Sequence, residues 1–178
     1  MDNSDCGRRF YFRIVMAILE IKKFNDPALR KKCQKLEKFD KKAKKLIVDM
    51  VQTMEKSQGI GLAAPQVGVL KRIIVVKAGF RGRRILVLIN PKILEKSRKT
   101  ETTEEGCLSF PGIFLKIKRA KEIEVEGFDI NKEKLRLKAK GLLARVLQHE
   151  IDHLDGVLFF DRLSFIKRIG FKLRKPWN

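Results

Sequence analysis

The 178-residue chain holds two histidines, and they stand four apart in Gln148-His149-Glu150-Ile151-Asp152-His153. Two imidazoles at i and i+4 reach one point only if the segment is helical. Leu143, Leu147 and Leu154 fall on the other stripe of that helix and need a core to bury them. The fold must therefore set a helix with one face packed on a core and the other turned to a cavity. The run is H-E-x-x-H, in which the histidines can hold a metal ion while the adjacent glutamate takes a proton from water bound there.

A catalytic site of this kind has three protein ligands and one open position. After His153 the chain has no further glutamate or histidine, which removes the usual metallopeptidase arrangements. Asp155 and Asp161 are weak candidates for the third ligand. Cys107 is the stronger one. It lies in Glu104-Glu105-Gly106-Cys107-Leu108-Ser109-Phe110-Pro111-Gly112, between glycines that allow close backbone approach, although a lone cysteine is more often a small buried hydrophobe.

Lys and Arg number 41 against 21 Asp and Glu, giving a net charge of +20, and 44% of residues are hydrophobic. That apolar content, spread along the whole length, suits the core of one domain and disfavours a disordered chain. No apolar run approaches the roughly 20 residues of a membrane helix, so no membrane partner is expected. Cys6, Cys33 and Cys107 are too few and too scattered for a disulfide framework. No disulfide partner is expected, and a reducing, cytoplasmic home follows. The charge favours an anionic partner such as RNA or an acidic surface.

Asp26-Pro27 predicts a short helix to about Cys33. Asp40 opens a second, with Leu46, Ile47, Met50, Val51 and Met54 at helical spacing and Gly59 ending it; the lysines at 41–45 form its solvated face. Residues 72–76 and 84–89 read as short strands separated by Gly79 and Gly82, while 113–117, 122–127 and 134–139 alternate as half-buried strands do. Gly141 begins the histidine helix, which Asp155-Gly156 stops. Helices, then antiparallel strands, then a helix, with no repeating βαβ unit, make an α+β domain.

Gly59-Ile60-Gly61-Leu62-Ala63-Ala64-Pro65-Gln66-Val67-Gly68 lacks the Lys-Ser/Thr of a phosphate-binding loop and reads by itself as a turn between helix and sheet. Its polar side chain, Gln66, could donate to an oxyanion. This segment, the Cys107 segment and the H-E-x-x-H run, in that order, closely resemble the motifs of peptide deformylases, from about Met16 to Lys167. The resemblance implies antiparallel sheets packed around a central H-E-x-x-H helix. It also implies removal of the N-formyl group from the amino-terminal methionine of nascent chains, with release of formate.

Carried onto this chain, the resemblance makes Cys107, His149 and His153 the ligands of one divalent ion, Fe(II) by family preference, with Zn, Ni or Co accepted by the same donors. Glu150 becomes the general acid-base. The Leu108 N–H and the Gln66 amide hold the oxyanion, and substrate pairs as an extended strand with Ile60, Gly61 and Gly106. Glu105 and Arg119 match positions that pair and brace the cysteine loop. Helix geometry adds Leu142 and Val146 as an apolar wall on the metal side, with Arg145 expected to snorkel outward. Phe110, in place of the commoner aliphatic, and a turn at 129–132 without glycine are the departures.

A small zinc peptidase is disfavoured by the missing downstream ligand. A binding protein that had lost catalysis should show damage at the ligands, Glu150 or Gln66, and none is visible. Residues 1–15 read as an extension or a misplaced start, residues 16–164 as the catalytic domain, and residues 165–178 as a basic tail. In that tail Ile166, Ile169 and Leu173 recur at helical spacing, suiting a short amphipathic helix; the resemblance implies that this basic helix docks on ribosomal RNA.

Overall fold

The computed structural model describes residues 17–79 and 84–173. The suspected extension at residues 1–15 lies outside them. So does the turn carrying Gly82. The chain forms a 3-10 turn at Pro27–Arg30, helix α1 at Lys41–Lys56, and strands β1 (Gly61–Ala63), β2 (Ile73–Ala78), β3 (Arg84–Lys96), β4 (Thr100–Cys107), β5 (Phe110–Ala120), β6 (Glu122–Phe128) and β7 (Lys134–Lys140). Helix α2 (Gly141–Leu154), a 3-10 turn at Phe159–Arg162 and helix α3 (Phe165–Leu173) complete it. The fold is α+β and antiparallel throughout its named strands: a five-stranded sheet ordered β1-β2-β3-β6-β7, and a separate β4-β5 pair.

Asp40 caps α1 by accepting from Ala43 N at 2.9 Å. Asp26 does the same for the first turn, which stops at Arg30 rather than reaching Cys33. Strand β2, inside the large sheet, packs on both of its faces. Ile74 and Val76 pack with Leu147, Ile151 and Leu154 of α2, while Ile73 and Val75 pack with Ile47, Met50 and Met54 of α1. Side chains of period two thus serve two cores from one strand. Helix α2 contacts β1, β2, β6 and β7 on one side and β5 of the smaller pair on the other.

Three strands differ from the expected ones. β1 (Gly61–Ala63) stands where the sequence read as a turn. β3 runs seven residues past Ile89, through Asn90-Pro91. Its pairing to β6 shifts register between Ile89 and Lys92, and such a bulge accommodates a proline that cannot donate to the ladder. Asn90 takes a positive φ of 54°, and its side chain exchanges both hydrogen bonds with the Leu36 backbone, at 2.8 and 2.9 Å. β4 was not expected at all. Its sequence, TETTEEGC, has no apolar alternation, because of its side chains only Glu105 is buried. The signal was complementary charge across the pair: Glu101 stands opposite Arg119, and Glu104 opposite Lys116.

A third core ties the smaller pair to the turn after α2. Phe110 is 1% exposed and meets Phe159 and Phe160 edge-on, with ring centroids 5.4 and 5.5 Å away. The same residue pairs with Cys107 across the β4-β5 turn, so this aromatic cluster anchors the cysteine segment. Phe110→Ala should cost about 3–5 kcal/mol in urea unfolding, with Phe110→Leu costing far less.

Candidate metal centre and active site

The cysteine pair and α2 converge on one point. One ligand atom each from Cys107, His149 and His153 lies within 4.8 Å of the others, and Cys107 Sγ is 3.3 Å from His153 Nε2. Asp155 and Asp161 do not join them: Asp155 pairs with Arg72 at 2.6 Å, and Asp161 with Arg30 and the Leu158 N–H. A thiolate with two imidazoles suits a borderline-soft divalent cation. The donor set therefore fits a metal.

The tautomer of His149 follows from its neighbour. Its Nδ1 lies 2.9 Å from Glu105 Oε2. Burial pushes the Glu105 carboxyl up, but the His149 and Arg119 contacts outweigh it and hold the group down at about 2. A carboxylate can only accept, so Nδ1 carries the hydrogen and Nε2 is left to face the metal. Burial also works against charge on His149, yet the Cys107 and Glu105 contacts hold its pKa well above the ordinary value. A cation bound there competes with that proton. His153 is driven well below its ordinary value by burial and by the neighbouring His149, which keeps it neutral and able to ligate.

Arg119 grips Glu105 in bidentate fashion, at 2.9 and 3.0 Å, with both side chains about 5% exposed or less. A pair that would be worth little on the surface is thus buried, against one ligand and beside the cysteine strand. Arg119 also bonds Asp152, which Arg162 grips in turn. Sequence reasoning missed Asp152 and Arg162. The available signal was a second carboxylate inside the H-E-x-x-H run.

Glu150 is 4% exposed, and its Oε2 has no hydrogen-bond partner among the described residues. Burial raises its carboxyl to about 7, against the opposing pull of His149; a cation at the three donors would draw it back down. Gly61 makes room for it, since a Cβ there would overlap the carboxylate and stand 2.8 Å from Val146 Cγ1. Gln66 is 1% exposed. Its Oε1 accepts the Ala63 N–H at 2.8 Å, which turns Nε2 toward Ser109 Oγ at 3.3 Å and Cys107 Sγ at 3.5 Å. The glycine-rich segment is thus more than a turn: residues 61–63 are strand and 64–67 a 3-10 turn that presents Gln66.

A cavity of about 640 Å³ opens over these groups. Ile60, Gly61, Gly106, Leu108, Leu142 and Val146, all expected at the site, line it. Arg145 lines it too rather than swinging clear, with its guanidinium 3.9 Å from Glu101 and its side chain 23% exposed. Two strand edges border the cavity. β1 ends the large sheet and β4 pairs only with β5, so each has one edge without a strand partner among the described residues.

A helix-borne histidine pair, a cysteine and a buried glutamate at the floor of such a cleft define a metal-dependent hydrolase. The polypeptide deformylase family model matches residues 18–169. The peptide deformylase of Thermodesulfovibrio yellowstonii is 49% identical over 159 residues, covering 88% of this chain and 96% of that protein. The crystal structure of peptide deformylase from Thermotoga maritima superposes with a TM-score of 0.79 at 46% identity, covering 83% of this chain and 98% of that one. A Synechococcus elongatus peptide deformylase in complex with actinonin gives 0.81 at 42% identity, covering 89% and 85%. The chain belongs to the polypeptide deformylase family.

Arg119→Met should cost about 3–5 kcal/mol near neutral pH, because Glu105 and Asp152 lose a shared buried partner. The depressed Glu105 carboxyl contributes stability that is present above about 4.5 and is lost as the pH falls toward about 2. The difference between wild type and variant, followed by urea unfolding across pH, should therefore shrink through that window.

Proposed function

We propose that this protein removes the N-formyl group from the amino-terminal methionine of newly made polypeptides and releases formate. The single observation that carries the reading is the convergence of Cys107, His149 and His153 beside a buried Glu150, in a chain of this family. A divalent cation held by those three side chains would supply Lewis acidity, making water a nucleophile near neutral pH and polarising the formyl oxygen.

Glu150 is the group placed to take a proton from the attacking water and return it to the departing amine. Gln66 Nε2, already turned toward Cys107, donates to the oxygen as it gains charge, and the Leu108 N–H is the second donor. The edges of β1 at Gly61 and of β4 at Gly106 accept substrate as an added strand. That mode reads backbone and so tolerates many sequences after the methionine. Leu142, Val146 and Ile60 offer the methionine side chain an apolar wall. Fe(II) is the metal we assign, with zinc, nickel and cobalt compatible with the same donors. The cytoplasm, where nascent chains are made, is the site of action.

Formate release from an N-formyl-Met peptide tests this, with protein prepared without oxygen, its metal content assayed and an acetyl-Met peptide as control. Turnover should fall by about two to four orders of magnitude in Glu150→Gln with metal retained. In Cys107→Ser, metal should be lost or its reactivity changed. Full activity in Glu150→Gln would reject the proton-transfer role, and no turnover by the metal-loaded wild type would reject the reaction.

The C-terminal helix suits ribosome docking. α3 forms as expected, and Phe165, Ile166 and Leu173 are 67%, 82% and 77% exposed on a chain of net charge +20. Co-sedimentation with ribosomes should weaken steeply with salt and vanish on deletion of residues 165–178; persistence after deletion would overturn it.

A further inference from the structure

We infer that Arg162 is a positioning residue for His149, acting through Asp152, Arg119 and Glu105; the inference rests on the metal reading above. The four side chains form an unbroken chain of charge-assisted hydrogen bonds that ends on the imidazole. Glu105 Oε2 receives both His149 Nδ1 at 2.9 Å and Arg119 Nη2 at 3.0 Å, while Oε1 receives Arg119 Nε at 2.9 Å. The orientation of the carboxylate that aims His149 is therefore set by the Arg119 fork. The remaining arm of that fork, Nη1, is held by Asp152 Oδ2.

Asp152 is itself clamped from the far side. Arg162 Nε donates to Oδ2 at 3.0 Å and Nη2 donates to Oδ1. Two carboxylates face two guanidiniums, so the chain is balanced in charge. Glu105, Arg119 and Asp152 side chains are 9% exposed or less, whereas Arg162 is 41% exposed. Water is therefore available to Arg162 but hardly to the three groups it completes.

Without Arg162, Asp152 keeps one guanidinium, which it must share with Glu105. Arg119 is then drawn between two buried carboxylates, and the fork that fixes Glu105 loses its fixed far end. The planar guanidinium matters, because a lysine ammonium supplies the charge without the two-pronged grip. Arg162 closes the 3-10 turn that leads into α3, so this contact also links the root of the C-terminal helix to a metal ligand.

Co(II) binding tests the assignment, with affinity measured by chelator competition and the ligand field read from the visible spectrum of the Co(II) protein. Arg162→Ala should lose about threefold to tenfold in Co(II) affinity, less than the 10–100-fold typical of a direct outer partner of a ligand, and its visible bands should move. Arg162→Lys should fall between the two proteins. Arg72→Ala removes an ion pair with Asp155, at the end of the same helix but off this chain; it should lower Tm while leaving affinity and spectrum as in wild type. Should Arg162→Ala fail to fold, Arg162→Lys alone carries the comparison. An unchanged affinity and spectrum in the Arg162 variants, or an equal change in Arg72→Ala, would overturn the inference. A wild-type protein that binds no Co(II) would overturn the metal reading and this inference with it.

Discussion

Helix α2 places four ionisable side chains, His149, Glu150, Asp152 and His153, within five residues, and each is 8% exposed or less. Taking such groups from water is costly unless each finds a partner or a ligand. Much of the remaining architecture can be understood as the supply of those partners. Glu105 comes from β4 and Arg119 from its partner β5, Cys107 from the end of β4, and Arg162 from the turn after the helix. The apolar stripe of α2 anchors the helix on the large sheet, so it cannot rotate its polar face back to solvent.

That constraint explains why a two-stranded pair, which is marginal alone, holds its place. Its aromatic end is locked by Phe110, Phe159 and Phe160. Its polar face is locked by Arg119, which satisfies Glu105 and Asp152 at once. The cleft between this pair and the large sheet is open because each contributes an edge strand, and a peptide laid there would satisfy backbone groups on both sides. Structure and chemistry thus share one device: the groups that hold the two sheets together also orient the metal-facing side of the helix.

The helices, the strands β2, β6 and β7 and the donor trio were legible because their signals are local. Periodicity marked α1 and α2, Asp26 and Asp40 marked the caps of the first turn and of α1, and the four-residue histidine spacing marked the site. Cys107 was legible by its glycines and by the motif likeness. β4 was not, because a strand with one buried side chain has no alternation to read; its pairing charges lie on another strand. The extension of β3 through Asn90-Pro91 was hidden by a proline that usually ends a strand, and only the register shift makes it possible. Asp152 showed only as a second carboxylate inside the H-E-x-x-H run; its pairing with the buried Arg119 and with Arg162, ten residues on across a turn, is reported by no single-sequence pattern.

X-ray absorption of the zinc-loaded protein tests the central claim most directly, since it reads the donor atoms themselves. The account predicts one sulfur at about 2.3 Å and two imidazole nitrogens at about 2.0–2.1 Å, with a light-atom ligand completing four-coordination. A first shell without sulfur, or one built from carboxylate oxygens, would contradict it.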